Sequence, residues 1–286
     1  MKNIDLAVEC SEVRGTPEGV TVQKEDGDGV KFITVTVSTE EGGKIIGKPV
    51  GKYITAELSV EPADGEELIK SAQAVAQRLA PLLPQGELLF FGLGNDRITP
   101  ESLGPLTASQ IIATRHLPRD MPALAQLRPV AAFSAGVMSQ TGMETAEVIA
   151  ALAAKLSPAA VVTVDALAAR RLERLCKTVQ ISTAGISPGS GVGNRRSRID
   201  SALMGCTVIS IGVPLVVDGL TLACGVLGAD EQTRDEAAQK LPDAESLMVT
   251  PQQIDKTVAS AAKLLALAFN IAAQPSLDAA TALSLM

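Results

Sequence analysis

The alternation of apolar and polar residues predicts strands along much of the chain. Residues 20–58 hold alternating runs separated by Asp-Gly and Gly-Gly turns, which is typical of two or three antiparallel strands. Farther along, short runs of apolar and β-branched residues leave room for a helix between most of them. These runs predict further strands at Glu87–Phe91, Val130–Phe133, Ala160–Val164, Thr178–Ser182 and Thr207–Val213.

Helical patterns occupy most of the intervals. The first follows Asp64, which is expected to cap its amino end, and stops before Pro84. We predict helices at Leu68–Leu83, Pro105–Leu117, Glu144–Leu156, Ala166–Cys176 and Gln252–Ala273. This alternation predicts a single α/β domain, whose mostly parallel, doubly wound sheet carries an N-terminal antiparallel elaboration.

Composition excludes several functions. The chain has 286 residues, and its 46% hydrophobic content comes mainly from Ala, Val, Leu and Ile, with only five Phe and one Tyr. With a net charge of −7 and so few aromatics, we expect no nucleic acid or anionic membrane as a partner.

Residues 1–11 lack the apolar core of a signal peptide, and no apolar run reaches the ~18 residues of a membrane span. Four scattered cysteines predict buried thiols in a reducing cytoplasm.

The chemistry is expected in the loops that follow the strands. Ligands of open α/β sheets bind beyond the carboxyl ends of the strands, and the loops at 92–105, 134–145 and 183–195 are long, polar and rich in glycine. Asp165 directly follows a predicted strand, and Glu101 lies in the first of these loops. Each acid is either a helix-terminal carboxylate or one member of a pair that could activate water and protonate a leaving group.

Other residues keep alternatives to this carboxylate pair open. Asp96, Glu144 and Asp218 would fit a carboxylate pair almost as well. The glycines at 189, 191 and 193 do not match a dinucleotide-binding or phosphate-binding loop, so they form either a flexible turn or a wall along which a substrate backbone passes. His116 has no partner at metal-ligand or triad spacing, which favours a packed or helix-terminal histidine.

Motifs in these loops resemble those of the germination proteases of spore-forming bacteria, endopeptidases that degrade small acid-soluble spore proteins. The similarity runs in order from Asp5 to Ala273, and its specificity comes from the whole set of motifs. The segment Gly225–Glu245 is shorter than in the family. The matching stretches are Gly92–Asn95, Thr99–Pro100, Leu103–Pro105, Thr114–His116, Gly136–Met138, Gln140–Gly142, Asp165–Arg170, Pro188–Asn194, Ile211–Pro214, Val216–Asp218 and Leu247–Pro251.

The resemblance implies the three-layer fold of phosphorylases and hydrolases and the activity of an atypical aspartic endopeptidase without a cofactor. The catalytic pair falls on Asp165 and Glu101. Glu101 replaces the family's aspartate, which moves the carboxylate by about 1.5 Å, one C–C bond. The related hydrogenase-maturation endopeptidases carry a glutamate in this loop, so a Glu–Asp pair is workable. We expect two loops to hold the substrate backbone through Gly136, Val137, Met138, Gln140, Gly189, Ser190, Gly191, Gly193 and Asn194.

The resemblance further implies a homotetramer, made as a zymogen in the developing spore and acting in the cytoplasm of the spore core. Family substrates are cut after Glu and before a large apolar residue that is followed by Ala-x-Glu. The stretch Asp5-Leu6-Ala7-Val8-Glu9 presents that order with Asp in the first place. We therefore expect self-cleavage between Asp5 and Leu6, so that residues 1–5 are a propeptide and residues 6–286 the peptidase domain. The alternative is a frayed N-terminus.

Three other functions stay compatible with the residues. Glu101, Asp165 and His116 could be ligands in a metal-dependent maturation endopeptidase, which a chelator would inactivate. A nucleoside phosphorylase or hydrolase shares the general architecture, although no second basic clamp lies near the glycine loop. A non-catalytic homologue would bind spore proteins without cutting them, and Glu101→Asp would then restore turnover.

Overall fold

A computed structural model describes residues 4–27, 29–62, 64–117, 126–189, 197–229 and 231–286. Within them one sheet contains nine strands: β1 (Val20–Gly27), β2 (Val30–Val37), β3 (Gly51–Glu57), β4 (Leu88–Gly92), β5 (Val130–Phe133), β6 (Ala160–Ala169), β7 (Thr178–Ser182), β8 (Thr207–Asp218) and β9 (Met248–Val249). The helices are α1 (Ala7–Arg14), α2 (Glu40–Ile46), α3 (Gly65–Leu79), α4 (Leu103–Ala108), α5 (Met138–Thr141), α6 (Thr145–Leu156), α7 (Ser201–Met204), α8 (Gly219–Leu227), α9 (Glu231–Lys240), α10 (Ile254–Ala273) and α11 (Ala279–Ser284).

The sheet is mixed, with a parallel centre. Its strand order is β1-β2-β3-β7-β8-β6-β4-β5, and β9 pairs with the end of β8. The strands β5, β4, β6 and β8 are parallel neighbours, whereas β7, β3, β2 and β1 continue from β8 in antiparallel pairs. The predicted strands at Val130–Phe133 and Thr178–Ser182 match the structure residue for residue. The α/β fold and its N-terminal antiparallel part are confirmed.

Helices cover both faces of the sheet and produce three layers. On one face, α3, α4 and α10 pack on the strands, and Phe90 meets Phe269 edge to face with ring centroids 4.8 Å apart. On the other face, α1 and α2 cover the antiparallel strands, while α6 covers β4 and β6. The helices of this second face pack on the sheet in two separate apolar clusters. The strip of sheet between the clusters is therefore free to carry polar residues.

Helix α10 is the central helix of the core. By length and composition it could cross a membrane, but 72% of its apolar 18-residue stretch is buried inside the described protein. Its buried Asn270 donates a 3.1 Å hydrogen bond to the Gln110 carbonyl and accepts one of 3.0 Å from the Ile112 amide. These contacts are those of a core helix.

Two helix predictions need correction. The helix predicted at Ala166–Cys176 is wrong: β6 runs on to Ala169, paired with β8 along this length. An alanine-rich stretch favours a helix locally, but pairing with a buried neighbouring strand outweighs that preference. Asp165 therefore lies within a strand and does not begin a helix. The helix predicted at Pro105–Leu117 ends at Ala108, because the backbone beyond it turns to bond with α10 and β5.

Candidate active site

A band of polar residues crosses the sheet between the two apolar clusters. Thr163 Oγ1 donates a 2.9 Å hydrogen bond to Ser210 Oγ across β6 and β8. In the next row, Asp165 of β6 lies opposite Gly212 of β8, which in turn lies opposite Gln180 of β7. Paired residues project to the same face of a sheet, and Gly212 has no side chain. Asp165 and Gln180 therefore flank the same gap.

Asp165 stands where the sheet opens. The residue is 8% exposed, and its Oδ1 accepts a 2.9 Å hydrogen bond from the Ala166 amide. Beyond Val164, β6 no longer pairs with β4, because β4 ends at Gly92. The carboxylate thus lies at the carboxyl end of the parallel strands, which is the usual position of ligand sites in such sheets.

Glu101 reaches the same end of the sheet through a tightly packed turn. It lies exposed in the 3₁₀ turn Thr99–Ser102 after β4. Gly94 has a φ of +116°, and a Cβ at this position would come within 2.0 Å of the Glu101 carbonyl oxygen. The Leu93 amide donates a 2.8 Å hydrogen bond to the carbonyl of Val164 in β6. Glycine is thus needed to bring the Glu101 turn against the end of β6.

Glu101 and Asp165 line one cavity of about 250 Å³. The structure therefore brings together the two acids that the sequence singled out. Apolar walls weaken dielectric screening and strengthen interactions between charged groups and a bound substrate. Here those walls are provided by Leu93, Ile98, Pro100, Val137, Val216 and Met248.

A second cavity, also of about 250 Å³, lies against Asp165 and has a more polar lining. Asp5, Asp165 and Leu167 line both cavities, so the N-terminal segment lies at their junction. Besides Asp5 and Asp165, the polar side chains of the second cavity are Lys48, Tyr53, Gln180, Ser182, Ser187, Arg198 and Ser210.

The N-terminal segment is held across the site by contacts at residues 5 and 6. Asp5 Oδ2 accepts a 2.9 Å hydrogen bond from the Ala168 amide, on the part of β6 that extends past β4. The Asp5 carbonyl oxygen accepts from Lys48 Nζ at 2.7 Å and from Gln180 Nε2 at 3.2 Å. Leu6 is completely buried and precedes α1, a helix that the sequence analysis missed. From Ile4 to Leu6 the segment is packed against the protein and is not frayed.

A buried carboxylate anchors α1. Glu9 is fully buried, and its two oxygens accept hydrogen bonds from the Arg170 and Arg171 amides at 2.9 and 3.0 Å. Burial raises the pKa of Glu9 to about 7, against the opposing effect of these amides and of Arg174. Burial also acts to raise the pKa of Glu12, but its two hydrogen bonds from Arg174, at 2.6 and 2.8 Å, and the Arg174 charge bring it below its ordinary value. In the sequence analysis, Glu9 was only part of the predicted cleavage motif, and its buried position was not predicted.

Two of the predicted substrate-contacting residues line the cavity of the two acids. They are Val137 and Gly189, and Gly189 also lines the polar cavity. Gly189 has a φ of +70°, in the left-handed region that favours glycine. The predictions for Ser190, Gly191, Gly193 and Asn194 lie outside the described residues.

The other predicted residues of the loop after β5 do not line the cavity of the two acids. Gln140 Oε1 accepts a 3.1 Å hydrogen bond from the Val137 amide, and its Nε2 donates to Asp96 Oδ1 at 2.8 Å. Gly136 packs against the Gln140 side chain, and Met138 is exposed. Gln140 therefore supports the position of Val137, while Gly136 and Met138 do not line the cavity with the two acids.

Comparison with known proteins establishes the family. The family model described as germination protease matches residues 3–229. The chain belongs to the germination protease family. Germination proteases of Caldanaerobacter subterraneus subsp. tengcongensis and Clostridium perfringens (strain ATCC 13124) are 40% and 37% identical to it, over 96% of this chain and 94% and 95% of their own lengths. That of Bacillus subtilis (strain 168) is 40% identical over 77% of this chain and 64% of its own.

The resemblance drawn from the sequence is thus confirmed, and the protein is a peptidase of the germination protease family. Among solved structures, the NiFe hydrogenase maturation protease HycI from Thermococcus kodakarensis KOD1 aligns with 67% of this chain and 97% of its own, at 16% identity and a TM-score of 0.37.

His116 of this germination protease lies at the other end of the sheet from the two acids. Its neighbour Arg115 pairs with Glu87, which precedes β4, and the Arg115 amide bonds to the start of β5. The structure therefore does not bring His116 together with Glu101 and Asp165 as a metal-ligand set. In the described part of the chain, no three His, Cys, Asp or Glu side chains are grouped to hold a metal ion. All four cysteines are free thiols, with Cys10 buried and Cys176, Cys206 and Cys224 partly exposed.

Proposed function

We propose that this germination protease degrades small acid-soluble spore proteins by hydrolysis between the carboxyl groups of Glu101 and Asp165. The observation that carries the proposal is the single cavity that both acids line, although they come from separate elements. One carboxylate takes a proton from water as the water attacks the scissile carbonyl. The other, protonated acid gives its proton to the amide nitrogen.

Cleavage of a defined peptide tests this mechanism. The protein is incubated with Thr-Glu-Phe-Ala-Ser-Glu, and the products are identified by mass spectrometry. We expect cleavage between Glu and Phe, loss of at least about 10³-fold in Asp165→Asn, and no loss in Asp255→Asn, a matched change in the first turn of α10. Cleavage at the original rate in Asp165→Asn contradicts the role of Asp165. Loss of activity with a chelator favours the metal-dependent alternative instead.

We also propose that the same site cuts the Asp5–Leu6 bond, so that the residues before Leu6 act as a propeptide. The Ala168 amide donates a hydrogen bond to the Asp5 carboxylate, which favours an acidic residue before the cleaved bond. The burial of Leu6 in the apolar cluster of α1 and α2 supports an apolar residue after it. Because Asp5 lines both cavities, release of this segment would join them into one cleft for an extended peptide. Intact-mass analysis is expected to find a chain that begins at Leu6, and no such product from Asp165→Asn.

Assembly as a homotetramer, synthesis as a zymogen in the developing spore and action in the cytoplasm of the spore core at germination complete the proposal. Exposed apolar side chains around α8 and the segment before β9 support an interface there, and light scattering is expected to give four times the mass of one chain. These side chains are Val226, Leu227, Leu241 and Leu247.

A further inference from the structure

The carbonyl oxygen of Asp5 has an unusual pair of partners. Lys48 Nζ lies 2.7 Å from it and Gln180 Nε2 lies 3.2 Å from it, and both donate hydrogen bonds. The two donors are 43 and 175 residues away from Asp5 in sequence. A charged donor makes a shorter and stronger hydrogen bond than a neutral one, and its strength grows as negative charge develops on the acceptor.

Hydrogen bonds position the side chain of Gln180 and the backbone of Lys48. Gln180 projects from β7, and its Oε1 accepts a 2.7 Å hydrogen bond from the Ala7 amide, which leaves its NH₂ group directed at the Asp5 oxygen. The Lys48 amide bonds to the Gly43 carbonyl just after α2 ends, at 3.0 Å.

The pair lies beside Asp165, one of the two acids of the proposed mechanism. Gln180 and Asp165 are in one row of the sheet, separated by Gly212, so their Cα atoms are two strand spacings or about 10 Å apart. Asp5 and Asp165 line the same two cavities. Lys48 and Gln180 also line the more polar of these cavities, so the two donors, Asp5 and Asp165 border one space.

We propose that Lys48 and Gln180 form the oxyanion-binding site of this peptidase. The inference rests on the proposed function and adds two catalytic residues to it. The contacts with Asp5 are those of a bound substrate carbonyl, and after processing the same donors would hold the scissile carbonyl of another protein.

Hydrolysis of the Asp5–Leu6 bond would pass through a tetrahedral intermediate. Water oxygen bonds to the carbonyl carbon while a carboxylate takes the water proton, and the C=O electron pair moves onto the oxygen that Lys48 Nζ and Gln180 Nε2 hold. When this intermediate collapses, the C–N bond breaks and the second acid protonates the nitrogen. The products are a carboxyl group on Asp5 and an amino group on Leu6. Donors that strengthen as the oxyanion forms lower the barrier without tightening substrate binding.

The test compares rates of self-cleavage of the full chain, followed by intact mass, and kcat on the Glu-Phe peptide. Lys48→Met removes the charged donor, and Lys48→Arg restores one. Gln180→Glu keeps an acceptor for the Ala7 amide but removes the NH₂ donor. Lys44→Met in α2 is the matched control. Thermal unfolding is recorded for every variant.

We expect Lys48→Met and Gln180→Glu to lower both rates by about 10²–10³-fold, the usual cost of one lost oxyanion donor. KM should change little, Lys48→Arg should recover most of the rate, and Lys44→Met should match the original protein. If Asp165→Asn is inactive but Lys48→Met and Gln180→Glu cleave at the original rate, this inference is wrong and the proposed function stands. If the original protein cleaves neither bond, the proposed function fails and the inference fails with it.

Discussion

At the residue scale, the proposed mechanism depends on the acid at position 101. The Thr99–Ser102 turn is fixed by close backbone packing against Gly94, so the extra methylene of Glu101 lengthens the side chain without moving the backbone. Glu101 is exposed at the cavity it shares with Asp165, and its carboxylate can extend into that space. The longer acid is thus accommodated by the open side of the cavity.

Shortening this acid tests whether the site is built for glutamate. Glu101→Asp withdraws the carboxylate by about 1.5 Å, and a misplacement of about 1 Å costs on the order of 10²-fold in rate. We expect kcat/KM on the Glu-Phe peptide to fall by that amount. An inactive original protein that gains turnover on Glu101→Asp would instead be the non-catalytic homologue.

The buried carboxyl of Glu9 predicts a specific pH dependence of stability. Its pKa is raised from 4.5 to about 7, so the folded state binds this proton more readily than the unfolded state does. Its contribution to stability is therefore complete below pH 4.5 and is lost as the pH rises through 7, by at most about 3 kcal/mol.

Urea unfolding at pH 5 and pH 8 measures this contribution. We expect Glu9→Gln to narrow the difference in unfolding free energy between the two pH values, whereas the exposed control Glu18→Gln leaves it unchanged. An identical difference in the original protein and Glu9→Gln would show that Glu9 does not titrate in this range.

At the element scale, the turn after β4 carries the geometry of the site. A Cβ on Gly92 would come within 2.2 Å of the Gly104 carbonyl oxygen, and one on Gly104 within 2.1 Å of the Leu93 carbonyl oxygen. Together with Gly94, these glycines let the strand, the turn of Glu101 and α4 approach without side chains between them.

Gly94→Ala should disturb this turn selectively. The new Cβ would meet the Glu101 carbonyl at 2.0 Å, in a backbone conformation that L residues rarely adopt, so the turn must move. We expect kcat/KM to fall by about 10²-fold. Gly205→Ala, also at positive φ but with open space around its Cβ, should lose some stability and keep its activity. Equal activity in the two variants would contradict this role of the turn.

The sequence predicted those elements whose signal is local. Runs such as Val130–Phe133 carry their strand character in their own residues, and Asp64 caps α3 as expected, accepting from the Glu67 amide at 2.8 Å. The extension of β6 through Ala169 depends on pairing with β8, which an alanine-rich stretch does not reveal. Lys48 and Gln180 meet only in the folded chain, so no spacing in the sequence could indicate them.

At the scale of the whole molecule, the site lies where the two halves of the sheet meet. The parallel half supplies Asp165 and the turn of Glu101, and the antiparallel half supplies Gln180 and, after α2, Lys48. The N-terminal segment crosses this junction and contacts both halves. In the proposed mechanism, the residues for acid–base chemistry and those that bind the carbonyl therefore come from different parts of the fold.

A double-mutant cycle on the two acids tests the central claim most directly. The measurement is kcat/KM on the Glu-Phe peptide for the original protein, Glu101→Gln, Asp165→Asn and the double variant. Groups that act as one catalytic unit are strongly non-additive. We predict that each single change lowers kcat/KM by at least about 10³-fold and that the double variant is no slower than the slower single. Losses that multiply in the double variant, or full activity in either single variant, would contradict the shared role of Glu101 and Asp165.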